Sequence, residues 1–165
     1  MRSVIAVYVE NKYGVLTRVA GLFMRKGFNI DSLTVGETED PNYSRMTITL
    51  NGDNYEEDQL VNQLKKLHNI KQVKLLQPGS NMERELLLLK VRNTPEIRSE
   101  VMAAADVYRG KIIDYSTDAM TIEVTGEPFK IQAFIDVMKP LGIVEMCRTG
   151  IVALERGADA LQWGK

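Results

Sequence analysis

The chain has one cysteine and one histidine in 165 residues. A single thiol, Cys147, excludes an internal disulfide and fits a reducing compartment. A single imidazole, His68, leaves any Ser/His/Asp or Cys/His arrangement with only one possible base. Neither residue stands in a metal-ligand spacing. An excess of either charge is missing too: 21 Lys and Arg against 22 Asp and Glu leave a formal −1, so no bulk attraction to nucleic acid or acidic membrane is expected. The N-terminal "MRSVIAVYVE" is interrupted by Glu10 and too short for a signal peptide. No stretch approaches the roughly 20 apolar residues of a membrane helix. The expectation is a cytoplasmic, soluble protein. Its hydrophobic content, 44%, is enough to bury a core, and its length allows one medium domain or two small ones.

What is present repeats. Ser3 to Val9 is rich in Val and Ile and reads as a strand. Val15, Leu16, Val19, Leu22 and Phe23 then recur on one face of a helix that ends near Gly27. Phe28 to Glu37 is a second strand, followed by a turn at "TEDPNY". In "SRMTITLN", Met46, Ile48 and Leu50 alternate with Arg45, Thr47 and Thr49, which predicts a sheet with one covered face and one polar face. "EEDQLVNQLKKLHNI" is a second helix and Val73 to Leu76 a fourth strand, giving βαββαβ, a ferredoxin-like sandwich.

After "QPGSN" the same order returns. "ERELLLLKV" is a strand, and "TPEIRSEVMAAADVYRG" a helix with Thr94 as N-cap, Pro95 in the first turn and Gly110 past the end. "KIIDYS" and "AMTIEVT" are strands, "EPFKIQAFIDVMKPLG" a helix and "IVEMCRTGIVAL" the last strand region. The fold class is therefore α+β, with two ferredoxin-like domains: residues 1–77, a linker at 78–82, and residues 83–165. The tail "ERGADALQWGK" is polar, with Trp163 positioned to dock.

Catalytic machinery is scarce. His68 falls at the end of the second helix, where a role beside the terminal carbonyls is natural. Cys147 follows Met146 in an apolar strand and reads as a small core residue. Glu56, Glu57 and Asp58 stand at a helix start, where carboxylates meet the positive end of the dipole. No calcium loop or phosphate-binding glycine motif is present. An RNA-recognition module of this topology needs aromatics on its central strands, but the third strand displays Arg45, Thr47 and Thr49.

The corner at Asn11 to Gly14 remains. The first turn of a helix presents unpaired N–H groups that suit a carboxylate. Gly14 leaves those groups uncovered, and an asparagine offers a carbonyl to an ammonium or an amide to a carboxylate. The set suits an α-amino acid head group. Ordinary turn chemistry accounts for the same residues, since Asn caps helices and Gly makes corners.

"ENKYGVLTRVAGLFMRKGFNIDSLTVGETEDPNYSRMTI", followed by "ERELLLLKV", "YRGKIIDYS" and "CRTGIVALERG", resembles the small, regulatory subunit of acetolactate synthase (acetohydroxyacid synthase), whose N-terminal part is an ACT domain. The likeness spans nearly the whole chain. Small departures are Lys26 in place of arginine, Tyr108 in place of phenylalanine, and Tyr115 and Cys147 in place of smaller or aliphatic residues. None touches the corner.

The resemblance implies a subunit with no active site, which activates a large subunit and confers feedback inhibition by valine in branched-chain amino acid biosynthesis. Thiamine diphosphate, magnesium and FAD are implied for the large subunit and no cofactor for this chain. The implied effector contacts are Asn11, Gly14, Val15 and Leu16 of one chain and Asn29 and Ile30 of a second. Topology supports that division. The helix separates Gly14 from Asn29 by roughly 20 Å at 1.5 Å per residue, and the second strand of a ferredoxin-like sheet is an open edge. Antiparallel pairing of that edge with its copy brings Asn29 of one chain toward Gly14 of the other; if both asparagines contact one ligand, the functional unit must be a homodimer. A free-standing amino-acid sensor acting on another partner is the alternative.

Overall fold

The computed structural model describes residues 2–161; Trp163, expected to dock, lies outside them. The chain divides into two units. One comprises the residues up to Met82 together with those from Ile151 onward, and the other is Glu83–Gly150.

The first unit holds β1 (Arg2–Glu10), α1 (Val15–Arg25), β2 (Ile30–Glu37), β3 (Tyr43–Asn51), α2 (Asn54–Lys65) and β4 (Ile70–Leu76). Its antiparallel sheet has the order β2-β3-β1-β4, which leaves β2 and β4 at the edges. Period-two alternation sends Ile5, Val7 and Val9 of β1, and Met46, Ile48 and Leu50 of β3, to one face. There they meet Val15, Val19, Leu22 and Phe23 of α1 and Leu60 and Leu64 of α2. Phe23 and Phe28 meet edge to face, 6.4 Å between centroids. The acidic run does open α2: Asp53 caps it by accepting from the Glu56 N–H at 2.9 Å, and the buried Glu57 accepts from the Ser3 hydroxyl. The helix stops sooner than its leucine stripe predicts. His68 therefore sits exposed in the turn before β4, three residues past the end of the helix.

The second unit repeats the order with β5 (Asn81–Arg92), α3 (Arg98–Val107), β6 (Lys111–Tyr115), β7 (Ala119–Gly126), α4 (Pro128–Gly142) and β8 (Ile143–Arg148). The strand order is β6-β7-β5-β8. Leu87, Leu89, Val91, Met120, Ile122 and Val124 pack against Val101 and Ala105 of α3 and Ile131, Phe134, Ile135 and Met138 of α4. β5 begins at Asn81, inside the expected linker. Thr94 does not cap α3 directly. Its carbonyl accepts from Ile97 and Arg98 in a preliminary turn, and the helix starts at Arg98. At the far end Arg109, not Gly110, takes the left-handed conformation (φ 55°). Gly110 is needed for space: a Cβ there would lie 3.0 Å from Ile122 Cγ2. Cys147 is exposed rather than in the core. It pairs with the exposed Leu88 on the sheet face that carries no helix, and β8 is an edge.

Residues from Ile151 onward correct two expectations. The final strand region breaks at Thr149–Gly150, with Gly150 at φ 81°, and the last strand, β9 (Val152–Glu155), belongs with the first unit. There Ile151, Ala153 and Leu161 pack on Val4, Ala6, Tyr8 and Leu76, the side of the sheet opposite the helices. The Tyr8 and Tyr43 rings stack at 5.1 Å beside them. The face expected to be polar and open is therefore covered. Thr47 is 4% exposed and Thr49 1%, and Arg45 donates to the Ala153 carbonyl at 2.9 Å. The alternation in β3 was real, but a distant segment satisfies its polar face instead of water. The second unit accordingly ends at Gly150, not at residue 165.

Candidate functional site

The corner between β1 and α1 is built by backbone first. Asn11 N–H donates to the Asn42 carbonyl at 2.7 Å and Lys12 N–H to Glu10 at 3.0 Å, turning the chain sharply out of β1. Gly14 takes the N-cap position of α1 at φ 81°, ψ −8°, a left-handed conformation that side chains with a Cβ disfavour. It supplies no side-chain cap, and α1 has no acidic residue in its first turn, unlike α2 and α3. The first intrahelical bond runs from Arg18 N–H to the Gly14 carbonyl at 3.0 Å, so the N–H groups of Val15 to Thr17 precede the ladder. Open space surrounds Gly14: an added Cβ would meet nothing within 4 Å.

Asn11 is held firmly. Its Nδ2 donates to Glu37 Oε1 at 3.2 Å and to the Pro41 carbonyl at 3.0 Å. Two acceptors on one amide nitrogen fix which way the group points, and they leave Oδ1 as the free acceptor. Leu16 is 44% exposed at the start of α1, whereas Val15 is buried in the core. Val15 can therefore contribute its backbone N–H but no side-chain surface.

Asn29 is exposed and Ile30 half-buried at the opposite end of the unit. Two rulers agree on this. The eleven residues of α1 rise roughly 16 Å. The strand β2 climbs roughly 23 Å from Ile30 to Glu37, which touches Asn11. Asn11, Gly14, Val15 and Leu16 thus share one corner, and Asn29 and Ile30 do not join them within one chain. A cavity lined by Lys26 and Phe28, just past α1, and by Glu56, Gln59, Leu60 and Gln63 of α2 contains none of the six expected contact residues in its lining.

The sequence reading missed the polar frame behind the corner. Glu10 is paired with Lys71 at 2.7 Å and Lys12 at 2.9 Å, and accepts from Asn69 Nδ2 at 3.2 Å. Arg18 donates to Asn69 Oδ1. Bonding to Lys71 first, then to Lys12 and Asn69, draws the Glu10 carboxyl down to about 2. Only the acid-base mix around "ENK" and "HNIK" hinted at this frame, because its members come from three elements. Glu37 was missed for the same reason. Among the described residues, no group of three or more His, Cys, Asp or Glu is placed to hold a metal ion, and no helix is long and apolar enough to cross a membrane.

Comparison with known proteins gives the family. The family model described as an AHAS small subunit-like ACT domain matches residues 5–72, and that for the small subunit of acetolactate synthase matches residues 84–157. The chain is 51% identical to a probable acetolactate synthase small subunit of Archaeoglobus fulgidus, over 95% of this chain and 98% of that one. It is 42% identical to the acetolactate synthase small subunit of Mycolicibacterium smegmatis, over 93% and 90%. The crystal structure of the small subunit from Thermotoga maritima superposes with a TM-score of 0.90 at 40% identity, over 96% of this chain and 99% of that one. Matched along nearly its full length and in both units, the chain belongs to the family of acetolactate synthase small subunits.

Proposed function

We propose that this chain is the non-catalytic regulatory subunit of acetolactate synthase, which activates the large subunit and makes it sensitive to valine. Family membership supports the pairing with a large subunit, to which the reading assigns thiamine diphosphate, magnesium and FAD. The observation that carries the effector site is the uncapped first turn of α1 beside Asn11, at one end of the open edge strand β2.

The reading gives each group a task. Valine's carboxylate meets the N–H groups at Gly14 to Leu16, where the partial positive charge of the helix end favours an anion. Its ammonium meets amide oxygen from Asn11 or from Asn29 of a second copy. Its isopropyl group rests on Leu16 and on the second copy's Ile30. The second copy is required because the two ends of α1 are too far apart for one small ligand. Antiparallel pairing of β2 with its copy completes the site, and effector binding then shifts the dimer between two arrangements that hold the large subunit differently.

Reconstitution tests this. Acetolactate formation by the large subunit should rise when this chain is added and fall when valine is added next. A rate indifferent to the chain would refute the regulatory role; activation without valine response would refute the effector site alone.

A further inference from the structure

The corner holds one anion that no cation answers. Glu37, the last residue of β2, is exposed and accepts from Asn11 Nδ2 through Oε1 at 3.2 Å. The cations of the polar frame behind the corner are engaged with other groups: Lys12 and Lys71 with Glu10, and Arg18 with Asn69. Glu37 joins no ion pair among the described residues.

Register shows which way Glu37 faces. It pairs with Ser44, two residues on from the Val35–Met46 pair and four from Leu33–Ile48. Met46 and Ile48 point into the core beneath α1, so the period of two puts Glu37 on the same side of the sheet as that helix. Asn11 spends both amide hydrogens on Glu37 and Pro41. A carboxylate and the Asn11 carbonyl oxygen therefore stand together as acceptors, one charged and one neutral. An ammonium group, with three donors and a full positive charge, is the complement of that pair.

We propose that Glu37 reads the ammonium group of the amino-acid effector, and that Asn11 is a positioning residue that holds the carboxylate in place. The assignment rests on the effector reading above and sharpens it. It makes the site selective for α-amino acids over acids of the same shape that carry a hydroxyl instead. Three donors from the ammonium can reach Glu37 Oε2, Asn11 Oδ1 and one acceptor of the second copy.

Glu37→Gln separates this role from a structural one. The glutamine keeps an oxygen for Asn11 to bond and removes only the charge. Calorimetry on the intact chain would compare valine with (S)-2-hydroxy-3-methylbutanoate. The wild type should prefer valine. In Glu37→Gln valine should weaken about tenfold or more, the worth of a hydrogen bond to a charged group, while the hydroxy acid binds as before. Equal valine affinity in variant and wild type overturns the assignment and leaves the effector site standing. A wild type that binds neither compound overturns both.

Discussion

Arg45 on β3 donates through Nη2 to the carbonyl oxygen of Ala153 at 2.9 Å, across 108 residues of chain. Thr34 on β2 makes a parallel bond to the Ile151 carbonyl at 3.3 Å, Arg156 N–H reaches Ser80 at 2.9 Å, and Lys74 pairs with Glu155 at 2.7 Å. A segment that comes after the second unit in the chain is thereby clamped, residue by residue, onto the back of the first unit's sheet.

Arg45→Met measures the clamp. Burial lowers the Arg45 pKa, with the nearby Glu155 carboxylate opposing that shift. Methionine keeps the apolar stem and strands the Ala153 carbonyl. The variant should lose about 1–3 kcal/mol of stability, and protease should cut more readily beyond Gly150. Urea unfolding and limited proteolysis read the two effects; an unchanged midpoint with an unchanged digest would remove Arg45 as a clamp.

Gly14→Asp tests the effector corner. A Cβ there meets nothing within 4 Å, so the structural cost comes chiefly from the positive φ, about 1–2 kcal/mol for a residue with a Cβ. Gly14→Ala carries a conformational penalty at least as large without charge and serves as the control. With the large subunit, the Asp variant should remain an activator and lose valine inhibition well beyond the loss in the Ala variant. Wild-type valine sensitivity in Gly14→Asp would sink the site.

The topology was legible because both units obey local rules. Met46, Ile48 and Leu50 alternate as a strand must, and Val15, Val19, Leu22 and Phe23 recur as a helix must; both sets are in the core. The corner was legible in its own residues, Asn11 and Gly14, since they adjoin in sequence. What failed depended on distant chain. The polar face of β3 is covered by Ile151 and Ala153, which no window around Arg45 contains. Cys147 follows Met146 in an edge strand, and only the sheet order reveals that its side of the strand has no helix above it. Glu37 looked like the end of a strand until the fold set it against Asn11.

Glu10 gives the frame behind the corner a pH signature. Its carboxyl falls from an ordinary 4.5 to about 2 through Lys71, then Lys12 and Asn69. A folded pKa below the unfolded one means that the stabilisation is complete above pH 4.5 and is lost as pH falls toward 2. Glu10→Gln should be less stable than wild type near neutrality, and the two should converge through that acid window. Urea midpoints taken across the window check it; curves that stay parallel would show that Glu10 is not the titrating group.

Arg148→Met probes the second unit by a different mechanism. Glu85 is only 5% exposed, and Arg148 Nη2 reaches its Oε2 at 2.7 Å while Nη1 reaches Gln132 Oε1 at 3.0 Å. Removing the arginine leaves a buried carboxylate with no cation, and that loss exceeds the worth of the pair itself, because the desolvated charge stays behind. Arg148→Met should cost about 3 kcal/mol at neutral pH. The double variant Arg148→Met with Glu85→Gln removes the stranded charge, so it should be more stable than Arg148→Met alone. Thermal unfolding of the three variants against wild type decides it. A double variant no more stable than the single one would mean that Arg148 acts through packing, not through Glu85.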